Sequence, residues 1–219
     1  MELKAIIFDL DGTLLDTIQD LADSMNAVLQ RLGYPTHPIE AHKIFVGDGL
    51  EPYVRQSLPA GADDEIVRRG MEMEQQEYGA RWADTTRPYD GIPEMLSALD
   101  DMGIPKSVLS NKPDAFTQLT VGKLLPDWTF DIVRGVVPDV PKKPDPTGAL
   151  EIARSFDVVP EEVLFLGDSN TDMLTAIAAG MYPVGAVWGF RTPEELNKNG
   201  AKALANHPSD VIKIISSPQ

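Results

Sequence analysis

Two aspartates spaced two apart follow a short apolar run: Ala5-Ile6-Ile7-Phe8 leads into Asp9-Leu10-Asp11, and Gly12 comes next, where the backbone can turn without a Cβ penalty. Residues two apart share one face of a strand as long as the chain stays extended. Like charges at that spacing repel, and each titrates abnormally unless a cation or a proton lies between them. Such a pair at the end of a buried strand suits a metal ion. It also suits a reaction in which one carboxylate attacks and the other moves a proton. Two simpler readings compete. Asp and Gly are favoured turn residues, so the stretch can be read as a polar turn. A calcium loop also begins Asp-x-Asp, but it requires Gly at its sixth position and Glu at its twelfth. Counted from Asp9 those positions hold Leu14 and Asp20, and a strand rather than a helix precedes them. The calcium loop is excluded; the polar turn is not excluded by these residues alone.

The elements that must position such residues are legible in the patterning. Strand-like apolar runs occur at Ala5–Phe8, Ser107–Leu109, Asp131–Val133, Val163–Leu166 and Pro183–Val187. Helical patterns lie at Ile92–Met102, Ala115–Leu124, Thr147–Phe156 and Asp172–Ala179. Alternation of this kind predicts βαβ units and a parallel α/β sheet of Rossmann-like type. Residues 16–87 interrupt it with strand-free helical pattern: Ile18–Leu32, Ile39–Phe45, Leu50–Leu58 and Asp64–Trp82. The expected organisation is an α/β core of residues 1–15 and 88–219 carrying an inserted all-α cap, residues 16–87. In open α/β sheets ligands bind outside the carboxyl ends of the strands. Three further polar stretches fall at such places: Ser110-Asn111-Lys112-Pro113, Lys142-Lys143-Pro144-Asp145, and Gly167-Asp168-Ser169-Asn170-Thr171-Asp172. Each alone has a plain structural reading, such as a helix cap or a helix N-terminus with favourable charge.

Composition narrows the classes. The chain of 219 residues is 42 % hydrophobic and 24 % charged, as in ordinary globular proteins. It contains no cysteine, which removes disulfides, thiolate metal sites and cysteine nucleophiles and fits a reducing compartment. A formal net charge of −15 argues against a nucleic-acid backbone or an anionic membrane as partner. No apolar run approaches the roughly 18 residues of a membrane span, and the first residues lack a signal-peptide pattern. The expected setting is the cytoplasm. The expected partner is a small phosphorylated metabolite; oligomeric state is not legible.

Taken together, the four polar stretches supply what phosphoryl transfer needs: a carboxylate nucleophile, oxygen ligands for a hard cation, a hydroxyl donor and a fixed positive charge. In that set the sequence resembles the haloacid dehalogenase superfamily. Asp9-x-Asp11-Gly12-Thr13-Leu14-x-Asp16 matches the superfamily's first motif at every defined position, and the likeness runs over essentially the whole chain. The resemblance implies that Asp9 attacks phosphorus and forms an aspartyl-phosphate, while Asp11 protonates the leaving oxygen and later takes a proton from water. It implies Mg²⁺ held by the Asp9 carboxylate, the Asp11 main-chain carbonyl and Asp168, with Asp172 an indirect partner rather than a primary ligand. Ser110, the Asn111 amide and Lys143 would hold the phosphoryl oxygens; Ser110 stands where the family commonly has Thr.

Within the superfamily the second aspartate, Asp11, argues for phosphate chemistry over dehalogenation. The linker Asp16-Thr17-Ile18-Gln19-Asp20-Leu21 lacks the His of sugar phosphomutases. Phe45-Val46-Gly47-Asp48-Gly49-Leu50 is similar to a loop of the phosphoglycolate phosphatase-like subgroup, in which Gly47 and Gly49 would let backbone approach a small substrate. Tyr89-Asp90-Gly91, Lys143-Pro144-Asp145-Pro146 and Val187-Trp188-Gly189-Phe190 continue that likeness. The function expected is therefore a Mg²⁺-dependent phosphatase of the phosphoglycolate phosphatase-like kind. A sugar phosphatase, a pyrophosphatase or a β-phosphoglucomutase-like enzyme on the same fold is the alternative, with a catalytically silent binding module more remote. A substrate carboxylate would want a cation from the insertion, and Lys43, Arg55 and Arg81 are the candidates.

Overall fold

In the computed structural model, which describes residues 2–217, the chain divides into two compact units, one of residues 2–15 and 88–217 and one of residues 16–87. The larger unit is built on a six-stranded, all-parallel sheet. Its strands are β1 (Ala5–Phe8), β4 (Lys106–Pro113), β5 (Val133–Val136), β6 (Val163–Gly167), β7 (Tyr182–Ala186) and β8 (Ala203–Ala205). Its helices are α5 (Ile92–Asp101), α6 (Asp114–Leu124), α7 (Thr147–Ser155), α8 (Asn170–Ala178), α9 (Pro193–Lys198) and α10 (Pro208–Ser216). A second, two-residue pair, β2 (Leu15–Asp16) with β3 (Arg87–Pro88), forms where the chain leaves and re-enters this unit.

Period-two alternation decides what each central strand touches. Ile6 and Phe8 of β1, with Leu164 and Leu166 of β6, join a cluster completed by α5 and α10. Ala5 and Ile7, with Val163 and Phe165, face the opposite cluster under α7 and α8. Both faces are covered, so both strands read as continuous apolar runs. Ile6, Ile7 and Phe8 are completely buried, which contributes roughly 1.5–3 kcal/mol each. That burial anchors the strand whose end carries Asp9.

The strand order reverses about β1, with β4 and β5 on one side and β6, β7 and β8 on the other. Such a switch point opens a crevice at the carboxyl ends of the strands. β6 and β7 differ from their predicted extents by one residue at one or both ends, and two strands differ by more. β4 does not stop at Leu109 but runs to Pro113, its register with β5 breaking between Leu109 and Pro113. Ser110 is therefore inside a strand rather than after it. β5 lies at Val133–Val136 instead of Asp131–Val133, because Arg134 pairs in the ladder, and Gly135 lies within the strand, without contributing any apolar signal.

The smaller unit consists of α1 (Ile18–Leu32), α2 (Ile39–Phe45), α3 (Leu50–Ser57) and α4 (Asp64–Arg81). Met25, Val28 and Leu29 of α1 pack with Tyr53, Val54, Val67 and Met73 around a core of its own. Two polar devices hold it. Asp20, 1 % exposed, accepts bonds from the Thr85 amide and hydroxyl (3.0 and 2.6 Å) and the Thr86 amide and hydroxyl (2.9 and 2.7 Å), tying the first turn of α1 to the last residues of the unit. Burial would raise the Asp20 carboxyl, but these hydrogen bonds outweigh it and hold it below its ordinary value. His42, completely buried, has Nδ1 3.0 Å from the Tyr53 hydroxyl, and that hydroxyl donates to the Leu21 carbonyl at 2.9 Å. Burial, followed by the nearby His37 charge, lowers His42 to about 4. Among the described residues no helix is long and apolar enough to cross a membrane.

Replacing Asp20 by Ala should cost roughly 2–4 kcal/mol in urea unfolding, because it strands two amides and two hydroxyls that now bond a charge. A loss under 1 kcal/mol would remove Asp20 as the tie. His42 is neutral when folded but protonates in the unfolded chain at its ordinary value of 6.5, so stability falls as pH drops from 6.5 to about 4. The full loss amounts to about 3 kcal/mol. His42→Gln should flatten that part of the stability–pH curve; an unchanged slope would assign it to other groups.

Candidate active site

β1 ends at Phe8, and the chain turns at once. Asp9 still donates its amide to the Leu166 carbonyl of β6 at 2.9 Å, but the amides of Leu14 and Leu15 then close back onto the Leu10 carbonyl at 3.0 Å each. Across this turn the two aspartates take different partners. Asp9 faces Lys143, with Lys143 Nζ 2.8 Å from its Oδ1. Asp11 faces Lys112, whose Nζ donates to both carboxylate oxygens at 3.0 and 3.1 Å. The crowding of negative charge that the spacing predicted is present, but between other partners. One oxygen from each of Asp9, Asp168 and Asp172 lies within 4.8 Å of the others, and all three residues are buried. Asp11 is the weakest of the causes acting on Asp9.

Each carboxylate is aimed by its own element. Asp168 directly follows β6 and is held by the Phe190 amide on Oδ2 at 2.7 Å and the Thr13 hydroxyl on Oδ1 at 3.2 Å. Asp172 is the third residue of α8 and closes a capping box: its Oδ2 accepts from the Ser169 amide at 3.0 Å and hydroxyl at 2.7 Å. Its Oδ1 is thereby turned to Lys143 Nζ, 2.6 Å away. The helix-cap reading of these residues and the cluster reading are thus both correct. Lys143, in the segment between β5 and α7, also stands over the Phe165 ring at 5.8 Å, and its main-chain carbonyl accepts from the Asn111 side-chain amide at 3.0 Å. The Lys112 amide donates to Ser110 Oγ at 3.2 Å.

The electrostatics follow. Burial, then the Asp172 charge, raise the Asp9 carboxyl to about 7 in spite of Lys143. Burial and the charges of Asp9 and Asp172 raise Asp168 well above the carboxylate range, against the Phe190 amide and Arg191. Burial would pull the Lys143 ammonium down, but Asp172 and Asp9 overcome this and hold it above its ordinary value. Three buried carboxylates sharing one ammonium are short of positive charge. An all-oxygen donor set of this kind fits a hard divalent cation. Asp9 and Asp168 suit direct ligation better than Asp172, whose Oδ1 is bonded by the Lys143 ammonium and whose Oδ2 takes both Ser169 donors, whereas the Asp168 oxygens are bonded by the neutral Phe190 amide and Thr13 hydroxyl.

The predicted residues Asp9, Asp11, Ser110, Asn111, Lys143 and Asp168 all lie in the larger unit, at the ends of β1, β4 and β6 and before α7. Gly47 and Gly49 lie in the smaller one, between α2 and α3, with φ of 131° and 93°. There Lys43, Arg55 and Arg81 pair with Glu40, with Glu51 and Asp64, and with Glu77. Thr13, Lys112 and Phe190 were missed. Thr13 and Phe190 act through a distant loop closure, in which Trp188 Nε1 also donates to the Thr13 carbonyl at 2.9 Å. Lys112 carried a signal, its place two residues after Ser110 on the same strand.

Gly12 is required twice over. Its φ is +88°, and a Cβ there would lie 2.3 Å from Asp168 Oδ2. Gly33 has a similar φ of +79° but open space around it. Gly33→Ala should therefore cost only the left-handed strain of about 1–2 kcal/mol in thermal unfolding. Gly12→Ala should cost more and disturb the carboxylate cluster; equal losses would show that closeness to Asp168 adds nothing.

Comparison with known proteins agrees with this geometry. The family model of haloacid dehalogenase-like hydrolases matches residues 6–186. A phosphoglycolate phosphatase of Nitrosospira multiformis is 34 % identical over 98 % of this chain and 96 % of its own. One from Thiobacillus denitrificans is 35 % identical over 82 % of this chain and 81 % of its own. A crystal structure from Lactobacillus delbrueckii subsp. bulgaricus, of a candidate phosphoglycolate phosphatase, superposes with a TM-score of 0.92 at 28 % identity, covering 98 % and 99 % of the two chains. With three aspartates, a lysine and a helix-capping box gathered at the switch point of a parallel sheet, and with a match over most of its length, the chain belongs to the haloacid dehalogenase-like hydrolases.

Proposed function

We propose that this protein is a cytoplasmic, Mg²⁺-dependent phosphatase that hydrolyses a small phosphate monoester through an aspartyl-phosphate, with phosphoglycolate-like substrates the first class to examine. The observation that carries the reading is the buried Asp9 carboxylate, set beside Asp168 and Asp172 with Lys143 bonded between Asp9 and Asp172. The relatives named above support the substrate class.

In the first step Asp9 attacks phosphorus, the bond from phosphorus to the ester oxygen breaks, and that oxygen takes the proton of Asp11. Asp9-phosphate and free alcohol result. In the second step water attacks the same phosphorus, gives its proton to the Asp11 carboxylate, and the bond to Asp9 breaks to release inorganic phosphate. Lys143 has three N–H donors. Two serve Asp9 and Asp172, which leaves one for a phosphoryl oxygen. Ser110 and the Asn111 amide supply further donors. Asp9, Asp168 and the Asp11 main-chain carbonyl are the proposed holders of Mg²⁺, which would offset the repulsion between an anionic phosphate and a carboxylate nucleophile. Asp172 orients Lys143. The helical unit is proposed as the cap that sets specificity, with Gly47 and Gly49 allowing main chain to meet substrate.

Purified protein should release phosphate from 4-nitrophenyl phosphate and from 2-phosphoglycolate with Mg²⁺, and lose this in EDTA until Mg²⁺ is returned. Asp9→Asn should lower kcat by at least about 10³-fold, as removal of a nucleophile does. Absence of turnover across a broad panel of phosphate esters would overturn the reading.

A further inference from the structure

The ion pair between Lys112 and Asp11 is buried, as are those of Lys143 with Asp9 and Asp172, but lies outside that cluster. The Lys112 side chain is 4 % exposed and that of Asp11 13 %, and the ammonium donates to both carboxylate oxygens. A lysine buried to that degree is held in place by its partner, because a charge removed from water needs compensation. The strand geometry explains how it arrives there. β4 pairs with β1 only as far as Phe8↔Val108, then continues through Ser110 and Lys112 to Pro113 after β1 has ended. There the Lys112 ammonium reaches the turn that holds Asp11. The backbone on both sides is fixed. The Lys112 amide bonds Ser110 Oγ, and Thr117 Oγ1 donates to the Lys112 carbonyl at 3.3 Å.

We infer that Lys112 is a positioning residue for Asp11, holding its carboxylate in the one orientation from which it can pass a proton to the leaving oxygen and take one from water. The inference rests on the proton-shuttle reading of Asp11 given above. Asp11 alternates between carboxyl and carboxylate in the two steps. Only one of its oxygens carries the proton in the first step, so one of the two bonds to Lys112 opens and the other stays. The side chain is thus held in the same rotamer throughout, and Lys112 itself touches neither phosphate nor leaving group. The pairing also accounts for the two lysines. Lys143 serves the nucleophile and Lys112 serves the proton carrier, and the turn after β1 keeps the two aspartates apart so that each has its own cation.

The test uses phenyl phosphates of one size whose leaving groups differ in basicity, from 4-nitrophenyl to unsubstituted phenyl and 4-methoxyphenyl. A positioned acid matters little for a leaving group that departs as a stable anion, and up to about 10²–10⁴-fold for a basic one. Lys112→Met should lower kcat/KM for 4-methoxyphenyl phosphate at least about 10²-fold, while costing 4-nitrophenyl phosphate less than about 10-fold. The dependence of log kcat/KM on leaving-group basicity should steepen as in Asp11→Asn, and the double variant should be no steeper than either. Lys112→Arg should restore most of the wild-type slope. The slope compares substrates on one preparation, so it is insensitive to the fraction of protein that folds. A uniform loss on every ester, or a loss carried by KM, would overturn the inference and make Lys112 structural or a phosphate binder. If Asp11→Asn leaves the slope unchanged, the shuttle reading of Asp11 fails, and the inference with it.

Discussion

Burial of the Asp9 carboxylate among two others is the constraint to which the rest of the larger unit answers. A carboxylate at the end of a strand covered on both faces loses most of its hydration, and Asp168 and Asp172 add repulsion. Lys143 offsets part of this and is itself kept charged only by Asp9 and Asp172, so none of the four can be understood singly. The arrangement remains short of positive charge, which is the condition in which a hard cation and an anionic substrate with fixed donors become favourable occupants. Structural strain and chemical competence have the same origin here.

Holding such a cluster requires that each carboxylate be aimed by something stiffer than its own side chain. Asp172 is aimed by a helix cap, Asp168 by the Phe190 amide, and Asp9 by its amide bond to β6. The loop after β7 is in turn fastened to the turn after β1 through Trp188 and the Thr13 carbonyl. Gly12 keeps that turn close to Asp168, where a side chain would displace the carboxylate. The site is thus spread over five segments far apart in the chain, joined by main-chain and side-chain hydrogen bonds.

The two units draw on different physics. The larger one relies on continuous apolar strands buried on both faces. The smaller one combines its own apolar core with buried polar ties, Asp20 to Thr85 and Thr86 and His42 to Tyr53. Ties of that kind make it more sensitive to acid than a purely apolar bundle would be.

Much of the fold was legible because local signals were strong. The apolar run Ala5–Phe8, the helix Ile18–Leu32 closed by Gly33, and the run Val163–Leu166 all stand where the pattern placed them. Less was legible where polar residues enter a ladder, as in β4 beyond Leu109 and in β5, or where elements are short, as in β8 and α9. Residue types and order alone determined a parallel α/β protein with an acidic, phosphate-directed set of side chains, since hydrophobic periodicity and charged residues after strands are local properties. Tertiary structure decided which charges meet. The spacing of Asp9 and Asp11 suggested that they face each other, but a turn of the main chain separates them, giving Asp9 to Lys143 and Asp11 to Lys112. Those pairings depend on where the ends of strands and the loop before α7 come together in space, and no local pattern encodes a distance between residues a hundred positions apart.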